Sequence, residues 1–513
     1  MARVFCFILF CNVLSAQNIA IGDWAIHLNY SHINTAIEED ETIYVGTQSG
    51  LFTYNLSDNS IRRFSKLEGL RSLNITALAY ANNLDQLVIG YNDGNIDILK
   101  NNHIVNIPYV EMANILGSKR INNIFINDSL AYLSCGFGLV VVDINLFEIK
   151  ETYYFPVDGV NSEVYQTYIF DEDINAPADN FLADKIFVGT NNGLFYANKY
   201  DNLIDYSVWS NDSRVSVGND NNNLVIDLGN TPVIKVIGYD KKEEGAKQLI
   251  IGTRIDYSKM VVPWFGSTEY NLFQFNSSAY AEPFSTNLNL FMVSADVPGS
   301  IISLDYSVLN NKGCVVTNDN FTEKIILLEE CDPCVDELFL TNTLSVNISD
   351  IHNLDFNLSA VFGLIAKDHN LSAGIFIGCR KNGLVLARKN DYSLTLEENI
   401  KPNGPVGINV GSIAAHKENI IYTHGGKTNS WNNNYNYQEI SLFNNSVWLN
   451  SLGLVDAQIY DAITCRGRPG SENNFFVGTW NSGLLEFEGD SLVAHYNTEN
   501  SALSAIGSSD MLS

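Results

Sequence analysis

His424-Gly425-Gly426-Lys427-Thr428 ends as a phosphate-binding loop ends, a pattern that would wrap backbone N–H groups and an ammonium around phosphate oxygens. That chemistry needs a glycine five residues before Gly426, where Ile421 stands, and a helix afterwards, where Asn429 to Tyr435 reads as loop. Gly136-Phe137-Gly138 opens like a dinucleotide fingerprint, but Val141 replaces the third glycine. Asp171-Glu172-Asp173-Ile174-Asn175-Ala176 starts like a calcium loop, yet Ala176 stands where the sharp turn needs Gly and Leu182 where a bidentate Glu belongs. Cys331 and Cys334 have the spacing of a redox pair or half a zinc site, with no second pair to complete four ligands. A local disulfide between them, or two free thiols, fits the surroundings better. No Gly-x-Ser-x-Gly elbow and no His-Glu-x-x-His occurs, the 8 His are scattered, and no spacing singles out a catalytic pair among 58 Asp and Glu. Trp431, Tyr435 and Tyr437 remain, aromatics in a polar, Asn-rich loop where exposed rings would contact a partner protein or a glycan. The competing reading folds them down over the edge of a sheet.

The elements that carry these residues repeat. Ile43-Tyr44-Val45-Gly46-Thr47-Gln48-Ser49-Gly50-Leu51-Phe52 returns as Ile186-Phe187-Val188-Gly189-Thr190-Asn191-Asn192-Gly193-Leu194-Phe195 and as Phe475-Phe476-Val477-Gly478-Thr479-Trp480-Asn481-Ser482-Gly483-Leu484-Leu485. Weaker copies centre on Gly90, Gly136, Gly252 and Gly378. β-Branched and aromatic runs prefer a pleated, buried surface, and a glycine that tolerates positive φ reverses the chain, so each copy predicts a hairpin. The first glycine sits at a strand end, where a missing side chain lets a neighbouring backbone come close. Gly46 and Gly90 stand 44 residues apart, Gly90 and Gly136 46, and Gly136 and Gly189 53. Four short strands recurring at such a period are the signature of propeller blades, and helical repeats of similar length would need apolar spacings of three and four.

Composition agrees. The 513 residues are 46% hydrophobic and 11% aromatic, ample for packed β-domains, and the length predicts more than one. Thirty Lys and Arg against 58 Asp and Glu leave a formal charge of −28, which repels phosphate backbones and argues against nucleic-acid binding. Arg3 followed by the apolar run Val4 to Leu14 and by Ser15-Ala16-Gln17 reads as a signal peptide over 1–16. Bulky Phe10 before Cys11 is unlike a lipoprotein site, and no later run is long enough to span a bilayer. Of the remaining cysteines Cys135, Cys314, Cys379 and Cys465 stand singly, and Cys135 and Cys379 sit beside the repeat glycines as small core hydrophobes.

The expected fold is all-β: a seven-bladed β-propeller over 24–405, then the first blades of a second, incomplete propeller over 406–513. Trp24 to Tyr30 reads as a lone strand completing the last blade of the first ring. Ser210 to Thr231, rich in Asn, Asp and Gly, reads as an exposed insertion or long connection, and Pro402-Asn403-Gly404-Pro405 as a domain boundary.

The repeat unit resembles the two-component-regulator propeller repeat of Bacteroidetes. More specifically, Val88-Ile89-Gly90-Tyr91-Asn92-Asp93-Gly94-Asn95-Ile96-Asp97 resembles the second blade of the PorZ family of the type IX secretion system. Ala113 to Gly117, Tyr132 to Gly138, the Asn429 to Tyr437 loop and Val477 to His495 extend the likeness along nearly the whole mature chain. The resemblance implies two seven-bladed propellers and a small β-sandwich, without catalysis or a cofactor. It also implies a place in a cell-surface attachment complex with a sortase-like protease and outer-membrane barrel proteins. That complex joins cargo to lipopolysaccharide, whose binding is credited to the C-terminal domain that this chain lacks. The implied location is the cell surface or periplasm of a Gram-negative bacterium. Two rivals are a periplasmic glycan-sensing propeller of a hybrid two-component regulator and a propeller carbohydrate-active enzyme.

Overall fold

The computed structural model describes residues 26–170, 184–211 and 214–504, less 218–223, 228–231, 242–245, 254–271, 277–290, 293–299, 308–311, 320–321, 331–339, 352–358, 368–373, 391–392, 408, 436–439, 451–458 and 481. The segment read as a signal peptide, the pair Cys331 and Cys334, and Tyr437 lie outside the described residues.

Nine four-stranded antiparallel sheets follow one another among the described residues, each with its strands hydrogen-bonded in chain order. Their innermost strands are Ile33–Glu39, Ile75–Ala81, Ile121–Asn127, Val164–Ile169, Val233–Lys241, Ser300–Ser307, Ala360–Ile365, Ser412–His416 and Ala462–Gly467. This is an all-β propeller fold. Each of the first seven innermost strands touches the next, and the seventh touches the first; the eighth touches the ninth.

Apolar cores lie between sheets rather than within one. One cluster joins Leu51, Phe64 and Ile75 across the first and second sheets, and another joins Val45, Phe52, Phe376 and Ile400 across the first and seventh. The repeat glycine explains how sheets come so close. A Cβ on Gly46 would lie 2.6 Å from Ile75 Cγ2, on the second sheet's innermost strand, and one on Gly189 would lie 2.6 Å from the Val233 carbonyl oxygen of the fifth. The threonine that follows the glycine locks the turn. Thr47, Thr190 and Thr479 each donate through Oγ1 to the carbonyl of the turn's second glycine, at 2.8, 2.9 and 2.9 Å. Each also accepts a backbone N–H inside the turn. A hydroxyl that satisfies both groups lets the turn bury its backbone without orphaned donors.

Polar contacts join the seventh sheet to the first. The Lys367 backbone N–H donates to Glu38 Oε2 at 2.8 Å, Lys367 Nζ to the Glu38 carbonyl at 2.7 Å, and the Tyr54 hydroxyl to Glu398 Oε2 at 2.9 Å. Of the strand expected at Trp24 to Tyr30, residues 26–30 are described and are irregular, and the seventh sheet completes itself with Leu394–Ile400. Those residues act as a wedge instead. Asn29 Nδ2 donates to the Val406 carbonyl at 2.7 Å, and the Trp448 indole N–H donates to His27 Nδ1 at 3.1 Å, so the segment ties the eighth sheet to the first seven. The stretch expected as an insertion contains a hairpin of its own, Arg214–Val217 with Leu224–Asp227.

Cys135 and Cys379 are free and buried, as the hydrophobic reading has it, and Cys314 and Cys465 are the same. Burial pushes their thiols up, at Cys379 to about 12, which leaves them protonated and inert.

Candidate functional site

The Gly-Lys-Thr loop and the aromatic loop are one structure, spanning the second strand (Asn419–Thr423) and third strand (Ser441–Asn444) of the eighth sheet. No helix follows Thr428 among the described residues, so the phosphate-loop geometry is absent there. Lys427 and Asn433 form a β-bridge, and Thr428 closes a tight turn: its N–H donates to the Asn432 carbonyl at 2.9 Å, its carbonyl accepts the Trp431 N–H at 3.0 Å and its Oγ1 the Asn432 N–H at 2.9 Å. This turn holds Trp431 at φ 63°, and Tyr435 lies at φ 54°, left-handed backbone that is costly for an aromatic residue.

Both rings face solvent. Trp431 is 62% exposed and Tyr435 63%, each with one side against a residue of the ninth sheet. The residues that hold them come from the ninth sheet. Asp461, fully buried, accepts the Asn434 and Tyr435 N–H groups through Oδ2 at 2.9 and 3.1 Å, while its carbonyl accepts the Trp480 N–H at 2.9 Å. Trp480 donates its indole N–H to the Trp431 carbonyl at 3.1 Å, and the two indoles stand 5.6 Å apart at 53°. Tyr435 packs against Tyr460, 5.2 Å between centroids. The Lys427 ammonium lies over the Trp431 ring and 5.0 Å from the Trp480 centroid, a cation–π arrangement.

Lys427, Tyr460, Asp461 and Trp480 escape a reading by local motif. Trp480 alone carried a signal: the other full copies of the repeat turn have Gln48 and Asn191 at that place, both small enough to serve the turn alone. An indole there does nothing for the turn and points to a contact beyond it.

Beneath the loop, His424 is fully buried, with Nδ1 3.2 Å from the Asn409 carbonyl and Nε2 2.8 Å from Ser441 Oγ. Burial pushes its imidazole down to about 4, against a smaller opposing effect of the Asn409 carbonyl. The fold therefore holds the neutral ring. Between an unfolded value near 6.5 and the folded value, the unfolded chain gains a proton that the folded chain refuses, so stability present above pH 6.5 is lost as pH falls toward 4. The loss amounts to up to about 3 kcal/mol for a shift of this size. Melting curves between pH 7 and 4 should show it as a slope that His424→Gln lacks; identical slopes would refute it.

Among the described residues no helix is long and apolar enough to cross a membrane, and no three His, Cys, Asp or Glu side chains converge as a metal site. Residues 43–210, from the first sheet's second strand to the fourth sheet's end, match the family model for the N-terminal β-propeller domain of PorZ of the type IX secretion system. That match covers 168 of the 513 residues. The whole chain is similar in fold to PorZ of Porphyromonas gingivalis, an essential bacterial surface component of that system. The identity is 18%, the TM-score 0.65, and the match covers 95% of this chain and 55% of that one. The chain thus spans about half the length of that PorZ structure. Weaker likenesses are to the extracellular domain of the putative hybrid two component system BT3049 from B. thetaiotaomicron (12% identity, TM-score 0.41, 94% of this chain and 62% of that) and to the Cps50 (Swd1) β-propeller domain of Myceliophteria thermophila (10%, 0.42, 69% and 95%). No curated protein matches the chain.

Proposed function

We propose that the chain is an exported, non-catalytic scaffold that works at the cell surface as PorZ does, in the attachment step of type IX secretion. The observation that carries this reading is the match of 43–210 to the PorZ N-terminal propeller. The fold extends the likeness to the remaining sheets. On this reading the sheets from Ile33 to Ile400 close as one seven-bladed ring within 24–405, and 406–513 opens a second. The Glu38–Lys367 and Tyr54–Glu398 contacts support that closure. Residues 1–16 act as the export signal. Rigid sheets present loops to protein partners, a sortase-like protease and outer-membrane barrel proteins, while delivery of lipopolysaccharide belongs to a further domain.

Deleting the gene in its own host tests the reading. Exported cargo should lose its attachment to the cell surface and keep its sorting domain, and a tagged copy of the protein should co-purify with the sortase-like protease. Normal cargo attachment in the deletion strain, with altered glycan-induced transcription instead, would favour a sensor propeller and overturn the scaffold.

A further inference from the structure

The connectors that lead from one sheet to the next share an end of the fold with the turns between second and third strands. The Asn74 N–H donates to the Gln48 carbonyl at 2.8 Å, and the Asn74 carbonyl accepts the Asn92 N–H at 3.1 Å. In the same way the Arg120 carbonyl accepts the Gly136 N–H at 3.0 Å, and the Glu163 carbonyl the Asn191 N–H at 3.1 Å. Connectors 65–74, 108–120 and 154–163, which join the first four sheets, therefore lie at that end. They leave large apolar side chains in solvent: Met112 is 76% exposed and Leu116 94%, and Leu67, Tyr109, Tyr154 and Val160 are exposed too. One such residue is ordinary, but several on adjoining connectors mark a contact surface.

The second of these connectors is held rigidly. Tyr109–Met112 is a helical turn, with the Met112 N–H donating to the Pro108 carbonyl at 2.9 Å and the Ala113 N–H to the Tyr109 carbonyl at 3.1 Å. Its Val110 is buried against the second sheet's turn, close enough that a Cβ on Gly94 would lie 3.0 Å from Val110 Cγ1. Tyr109, Met112 and Leu116 follow at spacings of three and four, so one side of the turn is apolar and points outward while Val110 anchors the other. The connector then crosses the third sheet's turn: a Cβ on Gly136 would lie 2.5 Å from the Ser118 carbonyl oxygen, and Phe137 stands 6.3 Å from the Tyr154 ring. These contacts run the apolar groups of the second and third connectors into one strip, ordered before any partner arrives.

The charges around the strip narrow what covers it. Lys66, Arg71, Lys119 and Arg120 lie on the first two connectors, against Glu68, Glu111 and, in the second sheet's turn, Asp93. Glu68 and Asp93 already accept hydrogen bonds from Ser65 and Ser72. The turns at the opposite end of the first three sheets carry Asp40, Glu41, Asp58, Asp85 and Asp128 and no Lys or Arg. One end of these sheets is thus cationic within a chain of formal charge −28, and carboxylates more than about 10 Å away are screened from it at moderate salt. We propose that this end of the first four sheets docks a protein partner through Tyr109, Met112 and Leu116, against a surface that sets carboxylates beside apolar side chains. Carboxylates facing Arg71 and Arg120 fix the register, and apolar contact supplies the affinity. A bilayer or another polyanion calls for uniform positive charge, whereas here acids are interleaved, and a helical turn of four residues is too short to lie in a membrane interface. A second copy of the chain offers its acidic end, a head-to-tail contact that does not close on itself. The surface deepens the scaffold reading and rests on it for there being a partner.

The test places the photo-crosslinker p-benzoylphenylalanine at Met112, at Leu116 or, as a control at the opposite end, at Leu146, in the whole chain expressed in its own host. Positions 112 and 116 should each give an adduct with the same second protein, at a peptide bearing carboxylates, and position 146 should not. That protein, purified and titrated against the whole chain, should bind at least tenfold more weakly to Leu116→Asp and to Arg120→Glu, with circular dichroism melts of both variants unchanged. No adduct at 112 or 116 in cells that attach cargo normally would overturn the surface. So would adducts only with a second copy of the chain or with lipid, or an affinity unmoved in the folded variants. Failure of the scaffold reading is seen separately, as normal cargo attachment in the deletion strain, and leaves the adducts standing.

Discussion

Gly425→Ala is expected to force the ninth sheet off the eighth. The Gly425 N–H donates to the Ala462 carbonyl at 2.8 Å, and a Cβ at 425 would lie 2.2 Å from that oxygen, 2.3 Å from Ala462 N and 2.5 Å from the Asp461 carbonyl carbon. All three are backbone atoms of the neighbouring sheet or its entry, and backbone in a hydrogen-bonded strand cannot swing aside as a side-chain tip does. Overpacking of this kind costs about 3 kcal/mol or more. Amide hydrogen exchange should speed up about a hundredfold across 412–423 and 462–496, and stay unchanged over 33–169. Because Asp461 and Ala462 also hold the aromatic loop, the Trp431 and Trp480 emission should shift in the same variant. Unchanged exchange in the last two sheets would refute the packing argument.

The second large effect lies in the second sheet, at Asp97. Its side chain is fully buried on the third strand of the second sheet (Ile96–Lys100). Oδ2 accepts the Tyr91 hydroxyl at 2.7 Å and the Arg71 backbone N–H at 3.0 Å, and Oδ1 accepts from Asn106 Nδ2 at 2.8 Å. One carboxylate thus joins three strands to the connection arriving from the first sheet. Burial pushes its pKa up, while the Arg71 N–H, Tyr91 and Asn106 pull it down. Asp97→Ala leaves the Tyr91 hydroxyl and the Arg71 N–H buried without an acceptor, at about 1–3 kcal/mol each, and opens a void. The expected loss is about 4 kcal/mol, read as roughly a thousandfold faster exchange over 71–107. Asp97→Asn keeps an oxygen for the Tyr91 and Arg71 donors and removes a buried charge but turns an amide NH2 toward Asn106 Nδ2, so its cost should be about 2 kcal/mol. Equal damage from the two substitutions would mean that the charge itself, not the acceptor, holds the sheet.

Both predictions turn on a difference between what one stretch specifies and what two stretches do together. The hairpins were legible because each is local: β-branched runs, a Gly at the strand end and a second Gly in the turn act within about ten residues. The close approach at Gly46 was legible too, as a need for room, though not that Ile75 fills it. The buried thiols of Cys135 and Cys379 follow from lying on those same runs. By contrast residues 26–30, expected within a strand, are irregular, because their pattern does not say which sheet edge is free. Leu394–Ile400 already occupies the seventh sheet's fourth place, so residues 26–30 wedge against Val406 and Trp448 instead.

Trp431 and Tyr435 were visible as aromatics in a polar loop; their exposure, and their company, were not. Trp480 stands 49 residues from Trp431 along the chain, and Asp461 stands 26 from Tyr435. What the amino-acid order settled by itself is the repeating sheet and the sites where the chain reverses, both consequences of short-range sterics and hydrophobic pattern. Stacking of one sheet on the next decided that Lys427, Trp431, Tyr435 and Trp480 share one end of the fold. Contacts of that kind depend on how separate sheets pack, and packing is a property of the assembled surfaces rather than of any single segment.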